Sequence, residues 1–405
     1  MNRRDFLKNA LITAALFPFA RTIELYGAPT APANALTRKK YGNSTNLPLL
    51  GFGTMRLPRK NGRIDYDAAE KLIDHAMANG INHFDTAWFY MNGDSENFLG
   101  KALSKYPRNS YTLADKLPVR SLKKPEDAER IFNEQLKKCK TGYFDFYLLH
   151  ALNSRHWETV KKFDLINFVE QKRKEGKIRN VGFSFHDKPE VLQTIVNAHK
   201  WDFVLLQINY LDWYNYRSKE QYEIATAAGI PVMVMEPLRG GRLAKLPTYA
   251  DKILKEANPD LSTASWAFRY AASLPNVMIV LSGMSQMAHL EENIRTFSPL
   301  KPLDGKEKAA LEKAVALYRK ADLIPCTGCD YCLPCPAEVA IPQVFAVWND
   351  AKLKNLNKEQ IKAEFAKLPA DSGPAACVHC NACLKKCPQK IKIPGLMTKI
   401  TKTIS

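Results

Sequence analysis

The chain has 405 residues, enough for two or three domains and a sizeable core. With 46% hydrophobic and 10% aromatic residues it reads as globular, which excludes a disordered or collagen-like chain. Its formal charge is +18, yet no basic patch interleaved with aromatic residues argues for nucleic acid.

The chain begins MNRRDFLK, with Arg3 and Arg4 paired ahead of Phe6, Leu7 and Lys8. An apolar run over 10–20 follows, then small-residue steps at Ala31, Ala33 and Ala35. This is the layout of an export signal, and residues 1–35 are similar to the twin-arginine type. The run falls short of the roughly 20 residues a membrane-crossing helix needs, so no stable membrane anchor is expected. The expected location is periplasmic or otherwise extracytoplasmic; the alternative is a cytoplasmic protein with a basic N-terminus.

From 47 to 299 short apolar runs alternate with segments of helical spacing, such as the one around Leu72 and Ile73. Strands are predicted near 49–53, 81–85, 111–115, 144–149, 180–184, 204–208, 231–235 and 277–281. This alternation points to α/β architecture, a closed (β/α)8 TIM barrel over 36–300. A doubly wound open sheet is the alternative, but no G-x-G-x-x-G follows the first strand. Barrel chemistry sits on loops leaving the C-terminal ends of strands. Those positions carry Asp85 after the second strand with Tyr90 in the same loop, Lys116 after the third and His150 after the fourth. Each alone reads as a helix cap, packing, a rim lysine or a core histidine. Their convergence on one rim marks them as catalytic candidates.

The stretches FDTAWFY (84–90), LADKLP (113–118), FDFYLLH (144–150), LGFGTMRLP (50–58) and GDSENFLGKAL (93–103) resemble the aldo/keto reductases over some 260 residues. The likeness is to a branch that carries a ferredoxin-type tail. It implies carbonyl reduction or alcohol oxidation on a small-molecule substrate. Tyr90 would be the acid, acidified from a pKa near ~10 by Lys116, which Asp85 holds charged. His150 would orient the carbonyl oxygen. The resemblance further implies cofactor contacts at Gly53, Thr54, Ser184, Gln207, Leu238, Gly240, Ser282, Gly283, Ser285, Glu292 and Asn293. Among these, Gln207 matches the position that meets the nicotinamide amide.

Several family positions are changed: Phe185 follows Ser184, Met235 replaces the stacking aromatic, and Gly283 and His289 replace the cations that grip a 2′-phosphate. NAD, bound NADP and a flavin all stay open as cofactor, a flavin being able to split a two-electron pair into single steps. Trp88, Phe89, Trp213 and Tyr214 suggest an apolar or ring-bearing substrate.

Residues 301–324 read as a linker helix whose charges (Lys306, Glu307, Lys308, Glu312, Lys313) form a solvated face. Cys139 reads as a buried filler. The other eight of nine cysteines lie in 325–405, as Cys326-x2-Cys329-x2-Cys332-x2-Cys335-Pro336 and Cys377-x2-Cys380-x2-Cys383-x3-Cys387-Pro388. Runs of this kind closing on Cys-Pro are a bacterial ferredoxin signature. CPAEVAIP and CPQKIKIP repeat beyond the ligands, so the tail is a duplication with one 4Fe–4S cluster per half. Zinc usually pairs two separated C-x2-C knuckles, and disulfides rarely form within such runs. In two-cluster ferredoxins the fourth cysteine crosses over. That resemblance implies Cys326, Cys329, Cys332 and Cys387 on one cluster, and Cys377, Cys380, Cys383 and Cys335 on the other. From Cys377 onward there are six lysines and no Asp or Glu, which suits an acidic redox partner.

The expected function is an exported oxidoreductase whose carbonyl or alcohol chemistry is wired through two 4Fe–4S clusters. The alternative is an electron-transfer or binding protein with a catalytically degenerate barrel.

Overall fold

The computed structural model describes residues 35–42, 45–321 and 323–405; the twin-arginine-like segment lies outside the described residues. Among them, the eight expected strands are present: β1 (Leu50–Gly53), β2 (His83–Asp85), β3 (Thr112–Leu117), β4 (Phe144–Leu152), β5 (Ile178–Phe185), β6 (Phe203–Gln207), β7 (Val232–Met235) and β8 (Val277–Ser282). They close in chain order into a parallel barrel, β8 pairing back onto β1 through Val280–Leu50 and Ser282–Phe52. Parallel strands covered on both faces need apolar side chains on both. Strand β1 is accordingly buried at all four residues, and β8 at all six. Phe146, Leu148, Phe203, Leu205, Met233 and Ile279 fill the barrel's interior as one cluster.

A hairpin that the sequence reading did not anticipate, Arg38–Tyr41 against Thr45–Pro48, plugs the N-terminal end. Its Leu47 is buried in the interior cluster, and its Tyr41 packs on Phe146 at 5.5 Å. Ligands therefore approach from the other end.

The helix Gly305–Arg319 is fastened to the barrel wall through Leu311, Ala314, Val315 and Tyr318, which pack with Trp266. Glu307 departs from the solvated face expected of it. It is only 6% exposed, closes a capping box with Asp304, and accepts from both terminal nitrogens of Arg269 at 2.8 and 2.6 Å. One helical face thus points into the barrel wall, where Arg269 needs a counter-charge.

The tail has its own core, built from helices Ile341–Leu353, Lys358–Phe365 and Ile393–Ile404. Val344, Phe345, Trp348, Met397 and Ile400 lie at its centre, against the cysteine loops. It sits on the barrel's C-terminal mouth. Arg56 donates to the carbonyl of Thr327 at 2.9 Å, Lys390 pairs with Asp187, and Gln389 meets Gln207.

Removing one partner of a buried ion pair strands the other charge. Glu307→Gln is expected to lower stability by about 3 kcal/mol, read as a lower denaturation midpoint in guanidinium.

Candidate active site

Asp85 ends β2 and Lys116 lies near the end of β3, so parallel pairing brings their side chains together at the mouth. Lys116 has no exposed surface, and its ammonium spends its three protons on Asp85 Oδ1 (2.7 Å), Asp85 Oδ2 (2.8 Å) and the Thr86 carbonyl (2.6 Å). Burial pushes the Asp85 carboxyl up and Lys116 opposes that push. Tyr90 opens a tight turn, Tyr90–Gly93, in which Met91 and Asn92 take positive φ. Its ring lies 4.8 Å below the Lys116 ammonium, and the His150 ring stands edge-on to it at 6.2 Å.

The four catalytic candidates are therefore brought together, but their electrostatics differ from the sequence-based expectation. Lys116 faces the Tyr90 ring and its donors are already committed. Burial first, and then the Asp85 carboxylate, push the Tyr90 phenol well up, and the guanidinium of Arg56 pulls it back down. Arg56 is thus a second cation, besides Lys116, that favours the phenolate. It follows β1, donates to Glu236 Oε1 at 3.1 Å, and feels both Tyr90 and Cys329. His150 is held neutral by burial first, then by Lys116 and Arg120. Its Nε2 lies 3.4 Å from the hydroxyl of Tyr331, which comes from the tail.

Two spaces meet at Tyr90. One is a chamber of about 810 Å³ whose lining includes Trp88, Phe89, Arg59, Arg120, Lys138 and Tyr331. Arg120 lies over the rings of Phe89 (3.8 Å) and Tyr331 (4.6 Å), and Lys138 lies over Trp88 at 3.9 Å. Trp213 and Tyr214, expected beside a substrate, are not in that lining; Trp213 packs on Tyr222 and Tyr270, and Tyr214 is 60% exposed. The other space is a cavity of about 90 Å³ that Asp85, Lys116, His150 and Gln207 share with Cys329, Tyr331 and Gln389.

The expected cofactor residues divide accordingly. Leu238, Gly240, Ser282, Gly283, Ser285, Glu292 and Asn293 line an open groove of about 590 Å³ with Lys245, Lys255 and His289, suited to an adenosine diphosphate moiety. Gly53, Ser184 and Gln207 line the 90 Å³ cavity instead. Ser184 Oγ accepts from the amide of Ala151 at 2.7 Å, and Gln207 pairs with Gln389. Thr54 is buried and donates to the Asp85 carbonyl at 2.9 Å, away from either space. The adenosine half of a dinucleotide fits; its nicotinamide half meets the tail.

The thiols fall into two neighbourhoods. After burial, the charges that raise Cys332 are those of Cys329, Cys326 and Cys387. Those that raise Cys383 are Cys377, Cys380 and Cys335. Backbone amides point at the first set, Gly328 at Cys326 Sγ (3.4 Å) and Tyr331 at Cys329. Cys139 is buried, its thiol 3.8 Å from Asp115 Oδ2.

Arg56, Glu236, Tyr331 and Gln389 went unnoticed in the sequence. A trace existed for two of them: Arg56 lies inside LGFGTMRLP, and Tyr331 is the one aromatic inside the first cysteine run. Nothing local announces Gln389, because its partner is distant in the chain.

Residues 49–316 match the model of the aldo/keto reductase family, and residues 325–391 match a 4Fe-4S dicluster domain. The chain is 26% identical over 319 residues to a protein described as uncharacterized oxidoreductase YqkF of Bacillus subtilis (strain 168), covering 69% of this chain and 99% of that one. It is similar to the aldo-keto reductase AKR11C1 from Bacillus halodurans in its holo form, with TM-score 0.57, 25% identity, and coverage of 69% and 96%. It shares its fold with an aldo-keto reductase from Klebsiella pneumoniae solved in complex with NADPH, at TM-score 0.55, 22% identity, and coverage of 70% and 95%. None of these three descriptions names a flavin.

Burial holds His83 down to about 3 and His186 down to about 4, with His150 also well below its ordinary value. The unfolded chain titrates these groups near ~6.5, so between that pH and the folded values it holds more protons than the native state. The three histidines therefore contribute stability that rises with pH across that window, against the buried carboxyls of Asp85, Asp115 and Glu96, which are pushed up and act in the opposite sense. Relative to the wild type, His83→Gln is expected to lose less of its guanidinium midpoint between about pH 6.5 and about pH 4.

Proposed function

Because the chain belongs to the aldo/keto reductase family and carries a 4Fe–4S dicluster domain, we propose that it interconverts a carbonyl and an alcohol at Tyr90 and His150, with electrons relayed through two clusters. The observation that carries this reading is shared lining: Cys329, a first-cluster ligand, borders the same cavity as Asp85, Tyr90, Lys116 and His150. When bound, such clusters pass electrons one at a time. The balance is C=O + 2 e⁻ + 2 H⁺ → CH–OH, with Tyr90 supplying the proton on oxygen and water the proton on carbon. The carbon–oxygen π bond breaks, one C–H and one O–H bond form, and a low-potential one-electron carrier is oxidised twice.

In this scheme Tyr90 donates the proton at the carbonyl oxygen, and Arg56 steadies the phenolate left behind. Neutral His150 hydrogen-bonds the same oxygen through Nε2, where the Tyr331 hydroxyl now sits. Lys116, locked by Asp85 and Thr86, fixes the plane of the Tyr90 ring and contributes a buried positive charge. Arg59, Arg120 and Lys138 in the chamber favour a substrate bearing a carboxylate or other anionic group, with Trp88 and Phe89 giving it apolar walls. Dinucleotide binding through the adenosine groove belongs to this proposal; no step is routed through a nicotinamide.

The second cluster's ligand Cys380 is exposed beside Val378, 68% exposed, and close in sequence to Lys385 and Lys386. An acidic carrier docking there would deliver the electrons. Export by the twin-arginine route accords with this wiring, since that route carries proteins already folded around their clusters.

Tyr90→Phe is expected to lower turnover by about 10²–10⁴-fold, while dithionite still bleaches the cluster absorbance to the same extent. If turnover persists, or if bleaching is lost with it, Tyr90 is not the acid.

A further inference from the structure

The tail does more than rest on the mouth. Gln207, fully buried at the end of β6, exchanges two hydrogen bonds with Gln389: its Nε2 donates to Gln389 Oε1 at 3.2 Å, and Gln389 Nε2 donates back to Gln207 Oε1 at 2.8 Å. A primary carboxamide on the tail thus offers Gln207 the same donor–acceptor edge that the carboxamide of a nicotinamide ring would offer. The space left around it is about 90 Å³. That is room for roughly three waters at ~30 Å³ each, well under the ~300 Å³ at which small-molecule sites begin.

An ion pair stands between this space and the adenosine groove. Arg56 and Glu236 border both spaces and are joined by their 3.1 Å ion pair. Arg56 also holds the Thr327 carbonyl at 2.9 Å. That carbonyl is pressed onto Gly240, where φ is +68° and an added Cβ would lie 2.0 Å from it. Any side chain at 240 would push the tail away. Lys390, next to Gln389, is tied to Asp187 on the loop after β5. Three fastenings thus hold the segment in place.

We propose that the tail, through Gln389 and the Thr327–Tyr331 loop, occupies the position beside Tyr90 that a nicotinamide ring would need. The intact chain then feeds its site from the cluster of Cys326, Cys329, Cys332 and Cys387. A dinucleotide can lay its adenosine diphosphate half in the open groove, but its ring stays outside the mouth. For the source of electrons this rests on the carbonyl chemistry proposed above. The exclusion itself rests on contacts alone, and the test reads binding, so the two can fail separately.

The test is calorimetric titration of the anaerobically purified full chain, clusters loaded, with ADP, NADH and NADPH, alongside the fluorescence of the reduced nicotinamide. The expected result is that both dinucleotides bind within about threefold of ADP, with fluorescence as in free solution and no bleaching of the clusters. Binding of either dinucleotide at least about tenfold tighter than ADP, with altered fluorescence, would overturn the proposal. Gln389→Ala supplies the second arm, with both cluster signals first verified by electron paramagnetic resonance. Vacating Gln207 is expected to tighten NADH relative to ADP by about tenfold; an unchanged ratio would remove Gln389 from the role assigned to it. Tyr90→Phe turnover driven by dithionite remains a separate readout of the chemistry.

Discussion

A lysine with no exposed surface stands at the mouth of the barrel, and the site is arranged around the need to keep it there. Taking an ammonium out of water costs several kcal/mol even after relaxation, so each of its protons must find an acceptor. Asp85 supplies two and the Thr86 carbonyl the third. Both acceptors come from the end of β2 and the residue after it, so the charge is held by the sheet itself. With its donors spent, Lys116 acts on Tyr90 through the face of the ring, by cation–π attraction. Arg56, bonded to Glu236 and to the tail, adds a second positive charge that eases the phenolate.

That second charge ties catalysis to docking. Arg56 cannot move without loosening Thr327, and Thr327 cannot move without unseating the loop that carries Cys329 and Tyr331. A barrel whose acid depends on Arg56 is at its most competent when the tail is down. The Tyr331 hydroxyl within reach of His150 then marks the point where a substrate oxygen must displace a protein one. Displacement of one hydroxyl by another oxygen changes the hydrogen-bond balance little, so substrate entry is opposed mainly by packing against Phe89 and Arg120.

Much of this was legible in the chain. Period-two and near-continuous apolar runs located all eight strands to within a few residues, because a parallel barrel buries both faces and leaves a strong signal. The four catalytic candidates could be picked out because barrel topology forces strand ends onto one rim, so position after a strand predicts proximity. The cysteines were readable because a cubane dictates spacing. What stayed hidden depends on long-range meetings. Glu307 looked like one charge among many on a solvated helix, and only Arg269, 38 positions away, explains its burial. Gln389 meets Gln207 across 182 positions, and two neutral amides leave no charge pattern to notice. Arg56 escaped notice for a related reason: residue types can be read along a chain, but which charges face a phenol is a matter of coordinates.

The two cysteine sets differ in their exposure. Cys326 and Cys332, ligands of the first set, are each 9% exposed, while Cys380 of the second set is open to solvent. Exposed clusters exchange electrons readily with a diffusing partner, whereas buried ones are screened from it and tuned by the dielectric and amides around them. The first set has those amides and, through Cys329, a wall of the catalytic cavity. The second has an exposed thiol at Cys380 and no place in that cavity's lining. Under the proposed function, such an arrangement would conduct along one axis, from a carrier near Cys380, through the outer and inner clusters, to a substrate bond beside Tyr90. The same axis runs backwards for alcohol oxidation. In either direction it works only while the tail is seated on the barrel, and the seat is made of the very residues, Arg56, Gln207 and Gly240, that a nicotinamide dinucleotide would otherwise have claimed.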